Sequence, residues 1–411
     1  MNRVLEDYEE IVGDRVIADI YDKARPLSGK HIVQINSTYQ GGGVAEMLSS
    51  LIPLMNYVGI QTGWRILHGN PDFFGITKKF HNALHGEEIN LTPMKKRIYL
   101  ETNENFSGFT HMNHDCVIVH DPQPLPLINF YQKKQPWIWR CHVDLSNPDK
   151  EVWNYLKKFL MRYDMVIVSH EKYLRNDLLV EQRVSQPAID PLSSKNMELS
   201  QQVIQKYLKK FGIPTDKPLI TQISRFDKWK NPEKVIAIYR EVKKSHDCRL
   251  VLCGSMASDD PEATDIFTRV KESVANLTPQ KDVILVTSEN NILVNAIQRA
   301  SSVIIQRSSK EGFGMTVTEA LWKEKPVVAS NVGGIPLQIR DGESGYLVDP
   351  EDTRGFVMRV KELLDHPDLA QKMGGEGKET VRENFLITRL LKDHILFTKE
   401  VIDMYNSKCG I

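Results

Sequence analysis

Ten short runs of β-branched and apolar residues, each followed by a longer stretch of helical period, recur along the chain. In the first half they are His31–Asn36, Gly63–Leu67, Cys116–His120, Trp137–His142 and Met165–Ser169. In the second half they are Leu219–Ser224, Arg249–Gly254, Val283–Thr287, Val303–Gln306 and Val327–Ser330. A strand that is apolar nearly throughout must be covered on both faces, and a parallel sheet with helices above and below it does this. Alternation of such strands with helices predicts an α/β chain, and 411 residues are too many for one ordinary core. Two doubly wound, Rossmann-like domains are therefore expected.

The stretch after the first run shows the helical pattern, with Val44, Leu48, Leu51, Ile52 and Met55 on one stripe. Periodicity breaks at Gln186-Pro187-Ala188-Ile189-Asp190-Pro191-Leu192-Ser193-Ser194, where prolines and small polar residues mark a linker. The expected division is an N-terminal domain over 1–187, a second domain over 188–385, and a helical tail over 386–411 able to pack back on the N-terminal domain. No strand signal appears from about Asp365 onward.

Basic and acidic side chains balance at 53 each, so no overall field draws the chain to nucleic acid or to an anionic membrane. An anionic ligand must be held locally. The five cysteines (Cys116, Cys141, Cys248, Cys253, Cys409) lack CxxC spacing, which argues against a zinc or disulfide framework. The N-terminal residues lack the basic start and apolar run of a signal peptide, and no run of about 18 apolar residues occurs. A soluble, cytoplasmic protein is expected.

Ligands of parallel α/β sheets bind at the carboxyl ends of the strands, so the loops there are the informative ones. Ser37-Thr38-Tyr39-Gln40-Gly41-Gly42-Gly43 delivers three glycines to a helix start, where unpaired N–H groups favour an anion. A turn that merely needs positive φ would look the same. Arg225-Phe226-Asp227-Lys228-Trp229-Lys230-Asn231-Pro232 puts Arg225 and Lys230 on one loop, with Asn231 and Pro232 as N-cap and first helical residue. A guanidinium fork beside an ammonium suits a diphosphate, although a surface charge cluster is the alternative.

Histidines follow three strands, in Val119-His120-Asp121, Arg140-Cys141-His142-Val143-Asp144 and Val168-Ser169-His170. No HxH or HExxH spacing favours a metal, and the mixture of donors and acceptors fits sugar hydroxyls. Trp137, Trp139 and Phe130 could offer apolar faces to a sugar or fill the core. In Arg307-Ser308-Ser309-Lys310-Glu311-Gly312-Phe313-Gly314-Met315-Thr316-Val317-Thr318-Glu319, Thr316-x-x-Glu319 also reads as a capping box. Glu319 equally suits a vicinal diol such as ribose. Glu311 has no such local explanation, and it precedes the exposed backbone of Gly312-Phe313-Gly314.

These residues resemble the retaining glycosyltransferases of family 4, which have the GT-B fold, two Rossmann-like domains facing each other across a deep cleft. The resemblance is closest to the trehalose synthase branch. It rests on Gly41-Gly42-Gly43-Val44-Ala45-Glu46, Phe80-His81-Asn82-Ala83-Leu84, His120-Asp121-Pro122-Gln123-Pro124, Trp139–Ser146, Ile189-Asp190-Pro191-Leu192-Ser193, Ser224-Arg225-Phe226-Asp227 and Glu311–Trp322. It implies that Arg225 and Lys230 hold the donor diphosphate and that Glu319 binds the ribose. It further implies that Glu311 and the Gly312-Phe313-Gly314 backbone grip the transferred sugar. Gly42 and Gly43 would approach the donor, and His142 would contact the donor sugar. His120, Asp121, Gln123 and Asp144 are the acceptor candidates. Two departures are Asn231, near which relatives commonly have glycine, and Lys310, where arginine is also seen.

The activity implied is transfer of glucose from UDP-, ADP- or GDP-glucose to free glucose, giving α,α-trehalose by a front-face route with no protein nucleophile. Domain closure about the 186–194 linker would exclude water. No metal or other cofactor is expected, and the partners are small molecules (nucleotide sugar, glucose and trehalose), with a homodimer allowed. The rivals are a family 4 transferase with another acceptor, such as a sucrose-type or glycerate-type enzyme, a phosphorylase using inorganic phosphate, a GT-B epimerase, and a silent nucleotide-sugar sensor.

Overall fold

Among the described residues, two six-stranded sheets, parallel throughout, organise the protein. The computed structural model describes residues 4–254, 263–277 and 282–410. It divides into one unit of residues 1–188 with 387–411 and a second of residues 189–386. Both are doubly wound α/β units, as the strand pattern predicts.

In the first unit the strands are β1 (His31–Asn36), β2 (Gln61–Ile66), β3 (Cys116–His120), β4 (Trp137–Arg140), β5 (Met165–Val168) and β6 (Glu181–Val184), in the order β2-β1-β3-β4-β5-β6. Sequence order reverses between β1 and β3, so the crevice at their carboxyl ends is the natural ligand position. Register places Gln34 beside Ile118 and His120 beside Arg140. Trp137 and Trp139 are fully buried in the core of this unit. Of the two readings open for them, core filling is the one observed, since every residue of this central strand is buried.

The helix Gly43–Tyr57 follows β1 and buries Leu48, Leu51, Ile52 and Met55, while Val44 is half-buried. Each such side chain contributes about 1.5–3 kcal/mol on leaving water. The chain's last helix, Ile387–Cys409, belongs to this unit. Its buried stripe includes Leu390, Leu391, His394, Ile395, Thr398, Val401 and Ile402. Arg389 donates to the carbonyls of Gln186 and Pro187 at 2.7 and 3.2 Å, which ties the helix to the segment after β6.

The second unit contains β7 (Leu219–Ile223), β8 (Arg249–Cys253), β9 (Val283–Val286), β10 (Val303–Gln306), β11 (Val327–Ser330) and β12 (Tyr346–Val348), ordered β12-β11-β10-β7-β8-β9. Its reversal lies between β7 and β10. The two segments that join this unit to the rest of the chain lie side by side, with Ile189 N–H donating to Phe385 O at 2.8 Å and Ile189 bridged to Leu386.

Two strands escape the sequence reading. β6 (Glu-Gln-Arg-Val) is a polar, half-exposed edge, and β12 has three residues. The Glu, Gln and Arg of β6 are tolerated at an edge, whereas Tyr346-Leu347-Val348 is apolar but too short to register as a run. Strand ends also move: β4 stops at Arg140, so His142 lies in the loop beyond it.

Candidate active site

In the second unit the loops after β7 and β10 meet where the strand order reverses. The turn Lys228–Lys230 is held by Asp227, whose buried carboxylate accepts the Trp229 N–H at 2.8 Å. Gln222, buried within β7, donates to Lys230 O at 2.8 Å. Ser309 N–H donates to Trp229 O at 2.8 Å, so the two loops are laced together. This lacing brings Lys230 Nζ onto Glu311 Oε2, which also accepts from Ser308 Oγ at 3.1 Å. Glu311 is 8% exposed, and the ammonium compensates the cost of burying it. Arg225 lies half-buried on the same loop.

Asn231 has φ 48° and ψ 52°, and no hydrogen bond from its side chain caps the following helix. The expected Asn231 N-cap is thus a positional cap without the capping bond. The left-handed backbone also accounts for the departure from glycine, because asparagine tolerates that region better than other residues with a side chain.

The capping box at Thr316 does not form. The helix runs Met315–Trp322 with Gly314 at its N-cap, so Thr316 is already its second residue and Glu319 its fifth. Glu319 is therefore not explained by helix initiation; it is 1% exposed and lies 3.1 Å from Lys195 Nζ. Gly314 has φ +92°, and a Cβ there would come within 3.3 Å of Glu311 Cγ. The Phe313 side chain is buried and packs edge-on against Phe385, with ring centroids 5.4 Å apart. It anchors the loop, so a grip by Gly312-Phe313-Gly314 falls to their backbone. Gln338, fully buried, donates to Phe313 O at 2.6 Å and accepts from Thr318 Oγ1 at 2.6 Å.

Gly254 supports the loop of Arg225 from behind. A Cβ there would lie 2.0 Å from Ser224 O, at the end of β7. Gly254→Ala should therefore displace the Ser224-Arg225 backbone and destabilise the protein by about 2 kcal/mol. Thermal melts of the variant check this, and an unchanged midpoint would show that the Ser224 backbone yields to a Cβ without cost.

In the first unit the β1–β3 reversal gathers a second set of residues. Gly41 and Gly42 have φ of 73° and 101°, and a Cβ at either would meet nothing within 4 Å. Glycine is needed there for conformation, and the space in front is open. His120 Nε2 lies 2.7 Å from Gln34 Oε1, and His120 Nδ1 lies 3.1 Å from His142 Nε2, with the rings stacked 12° from parallel. With the amide oxygen facing it, His120 Nε2 carries the proton, so its Nδ1 accepts from His142 Nε2–H. Neutral His142 then presents Nδ1 as an acceptor. Burial, with Arg140 close by, holds both imidazoles well below their ordinary range.

Asp121 has φ 61°, and its Oδ1 accepts the His142 backbone N–H at 2.8 Å. Burial pushes its carboxyl up to about 7, against the pull of that N–H and of Arg140. The four residues Gln34, His120, Asp121 and His142 thus form one cluster. Gln123 is half-buried nearby in sequence, its carbonyl accepting from Asn103 Nδ2 at 3.1 Å. Asp144 is 5% exposed, and its Oδ1 is taken up by Ser146 N at 2.8 Å and Ser146 Oγ at 2.5 Å, a local turn. His170 serves the turn after β5, its Nδ1 accepting from Lys172 N at 3.1 Å.

Sequence reasoning missed Gln34, Gln222, Gln338 and Lys195. The first two had a signal: each is an amide at an interior position of a strand at the sheet's reversal, Gln34 between Val33 and Ile35 and Gln222 between Thr221 and Ile223.

Comparison with known proteins places both halves. Residues 34–175 match the family model described as trehalose synthase, N-terminal domain, and residues 203–380 match glycosyl transferases group 1. A trehalose synthase of Thermococcus litoralis is 48% identical over 395 residues, covering 95% of each chain. A trehalose phosphorylase of Pleurotus pulmonarius is 29% identical, covering 92% of this chain and 58% of its own. Among solved structures, a trehalose 6-phosphate synthase from Burkholderia multivorans superposes with TM-score 0.72 at 15% identity, covering 93% of this chain and 98% of its own. The last likeness is one of fold.

Proposed function

We propose, from the premise that the chain belongs to the trehalose synthase family of group 1 glycosyltransferases, that it moves glucose from a nucleoside diphosphate glucose to free glucose, with retention, to make α,α-trehalose. The observation that carries the donor half is the Lys230–Glu311 pair at the point where β7 and β10 part. A cation and an acid locked together there can receive a phosphate and a sugar hydroxyl side by side.

In this reading Arg225 and Lys230 take the charge that grows on the departing diphosphate. Stabilisation of that charge by fixed groups supplies most of the acceleration. Glu311 and the Gly312–Gly314 backbone orient the glucosyl ring, and Glu319 accepts from the ribose hydroxyls. Gly42, where a Cβ would meet nothing within 4 Å, and Gly43 after it are the glycines that would approach the donor. The acceptor hydroxyl attacks on the face from which the phosphate leaves and passes its proton to that phosphate, so neither Glu311 nor any other side chain becomes a covalent nucleophile. The cationic loop does the neutralising that a divalent metal does elsewhere. His142 Nδ1 accepts from a sugar hydroxyl, while His120, Asp121 and Gln123 frame the acceptor. Asp144 acts by shaping the turn beside them.

The test is incubation with UDP-, ADP- and GDP-glucose, each with and without glucose, following nucleotide release and the anomeric configuration of the product. Glucose-dependent release with an α,α-linked disaccharide is expected. Release that ignores glucose would point to another acceptor. Glucose 1-phosphate formed from trehalose and inorganic phosphate, without nucleotide, would overturn the reading in favour of the reaction named for the longer relative.

A further inference from the structure

The linker expected over 186–194 is followed into the second unit by residues 190–197, which are bonded there. Asp190 Oδ1 accepts Leu192 N at 2.9 Å, and Asn196 Nδ2 donates to Asp190 O at 3.1 Å, closing a tight turn. The helix Asn291–Ala300 then grips it from outside. Asn295 Nδ2 donates to Ser194 O at 3.1 Å and to Met197 O at 2.8 Å, and Arg299 Nη2 donates to Met197 O at 3.1 Å. Lys323, itself buried, donates to Asn196 Oδ1 at 2.9 Å and to Glu319 O at 3.0 Å. The backbone is thus pinned on both sides of Lys195, whose Nζ reaches Glu319 Oε1 at 3.1 Å.

Such a pair does little for stability, because the cost of removing two charges from water cancels most of their attraction. Its chemical effect on Glu319 is larger. At 1% exposure an isolated carboxyl would take up a proton and offer an O–H where a diol needs acceptors. With an ammonium beside it the carboxylate stays ionised, and an ionised carboxyl is an acceptor at both oxygens. At 14% exposure the Lys195 side chain is not sealed from solvent.

We propose that Lys195 is a positioning residue of the donor site, holding the Glu319 carboxylate ionised and oriented so that it accepts from the two ribose hydroxyls of a nucleoside diphosphate. The inference rests on the reading of Glu319 as the ribose ligand. It assigns the Asp190–Met197 turn to ribose recognition.

The test is calorimetric titration of the full chain with ADP, UDP and GDP and with their 2′,3′-dideoxy counterparts. Wild type should bind the ribonucleotide at least about tenfold more tightly than the dideoxy form, the cost of leaving a buried acceptor unpaired. K195M should lose about tenfold in affinity for the ribonucleotide and little for the dideoxy form, so that the preference collapses. K195Q, which keeps a polar contact without the charge, should behave as K195M does, and K195R should restore the preference. Equal loss for both ligands, or none, in K195M and K195Q would overturn the proposal while leaving the donor site intact. Absence of nucleotide binding, or of any ribose preference, in wild type would instead remove the role of Glu319, and the proposal would fall with it.

Discussion

K230M is expected to lower kcat by about 10³, with a smaller change in KM for the donor, the scale seen when one fixed donor to a developing negative charge is removed. The ammonium is the group placed to follow charge onto the leaving diphosphate, and methionine keeps its bulk. The same substitution leaves Glu311, at 8% exposure, without the cation that permits its burial. E311Q should accordingly be severe by itself, because the glutamine cannot hold Lys230 by charge. The two losses share one contact, so the double variant K230M/E311Q should be little worse than K230M. Initial rates on the four proteins at saturating and limiting donor decide this. A loss under about tenfold in K230M would exclude Lys230 from leaving-group stabilisation. Losses that multiply in the double variant would mean that the pair acts as two independent ligands.

The legible part of this fold is the part that is buried on both sides. β3, β10 and β11 appear in the sequence with their observed ends because nothing polar interrupts them until a loop begins. β6 lies at a sheet edge, where hydrogen bonding to one neighbour suffices and polar residues are tolerated, and β12 is apolar but only three residues long. Among the candidate site residues, Arg225, Lys230 and Glu311 could be singled out because they lie in loops after strands at the reversal, and Glu311 and Glu319 because they flank the Gly312-Phe313-Gly314 turn. The apparent capping box shows the limit of local pattern. Thr316-x-x-Glu319 has the right spacing, but Gly314 in the left-handed region starts the helix two residues early. Lys195 was illegible because its significance comes from a partner far along the chain, and a turn of Asp, Pro and Ser looks like a linker until its hydrogen bonds are seen.

His394 was also illegible, since in the last helix it occupies a core position of the apolar stripe, and its role depends on which charges surround it. Its Nδ1 lies 3.1 Å from Leu390 O, and its Nε2 has no hydrogen-bond partner among the described residues. Burial first, and then the charge of Arg140 and more weakly of Arg389, bring its imidazole down to about 4, against the opposing pull of Asp393 and of the Leu390 carbonyl. His120 and His142 are shifted in the same direction. Above pH 6.5 the imidazole is neutral whether the chain is folded or not, and its contribution is complete. As pH falls from about 6.5 to about 4, the unfolded chain takes up a proton that the folded one refuses, so stability is lost across that window. For His394 alone the loss is about 3 kcal/mol. Asp121 works the other way. Its carboxyl is raised to about 7, so the stability it contributes is present at low pH and lost as pH rises through that value. The wild-type profile between pH 4 and 6.5 is therefore a difference of opposing slopes, and the informative quantity is the change produced by H394L. Leucine keeps the volume, removes the titrating group and leaves Asp121 in place. H394L should gain on wild type by about 3 kcal/mol between pH 7 and pH 4, measured as urea unfolding free energies at pH 7, 6, 5 and 4. Parallel profiles for the two proteins would mean that His394 is protonated in the folded state, and that Arg140 is too far away, or too well solvated, to prevent it.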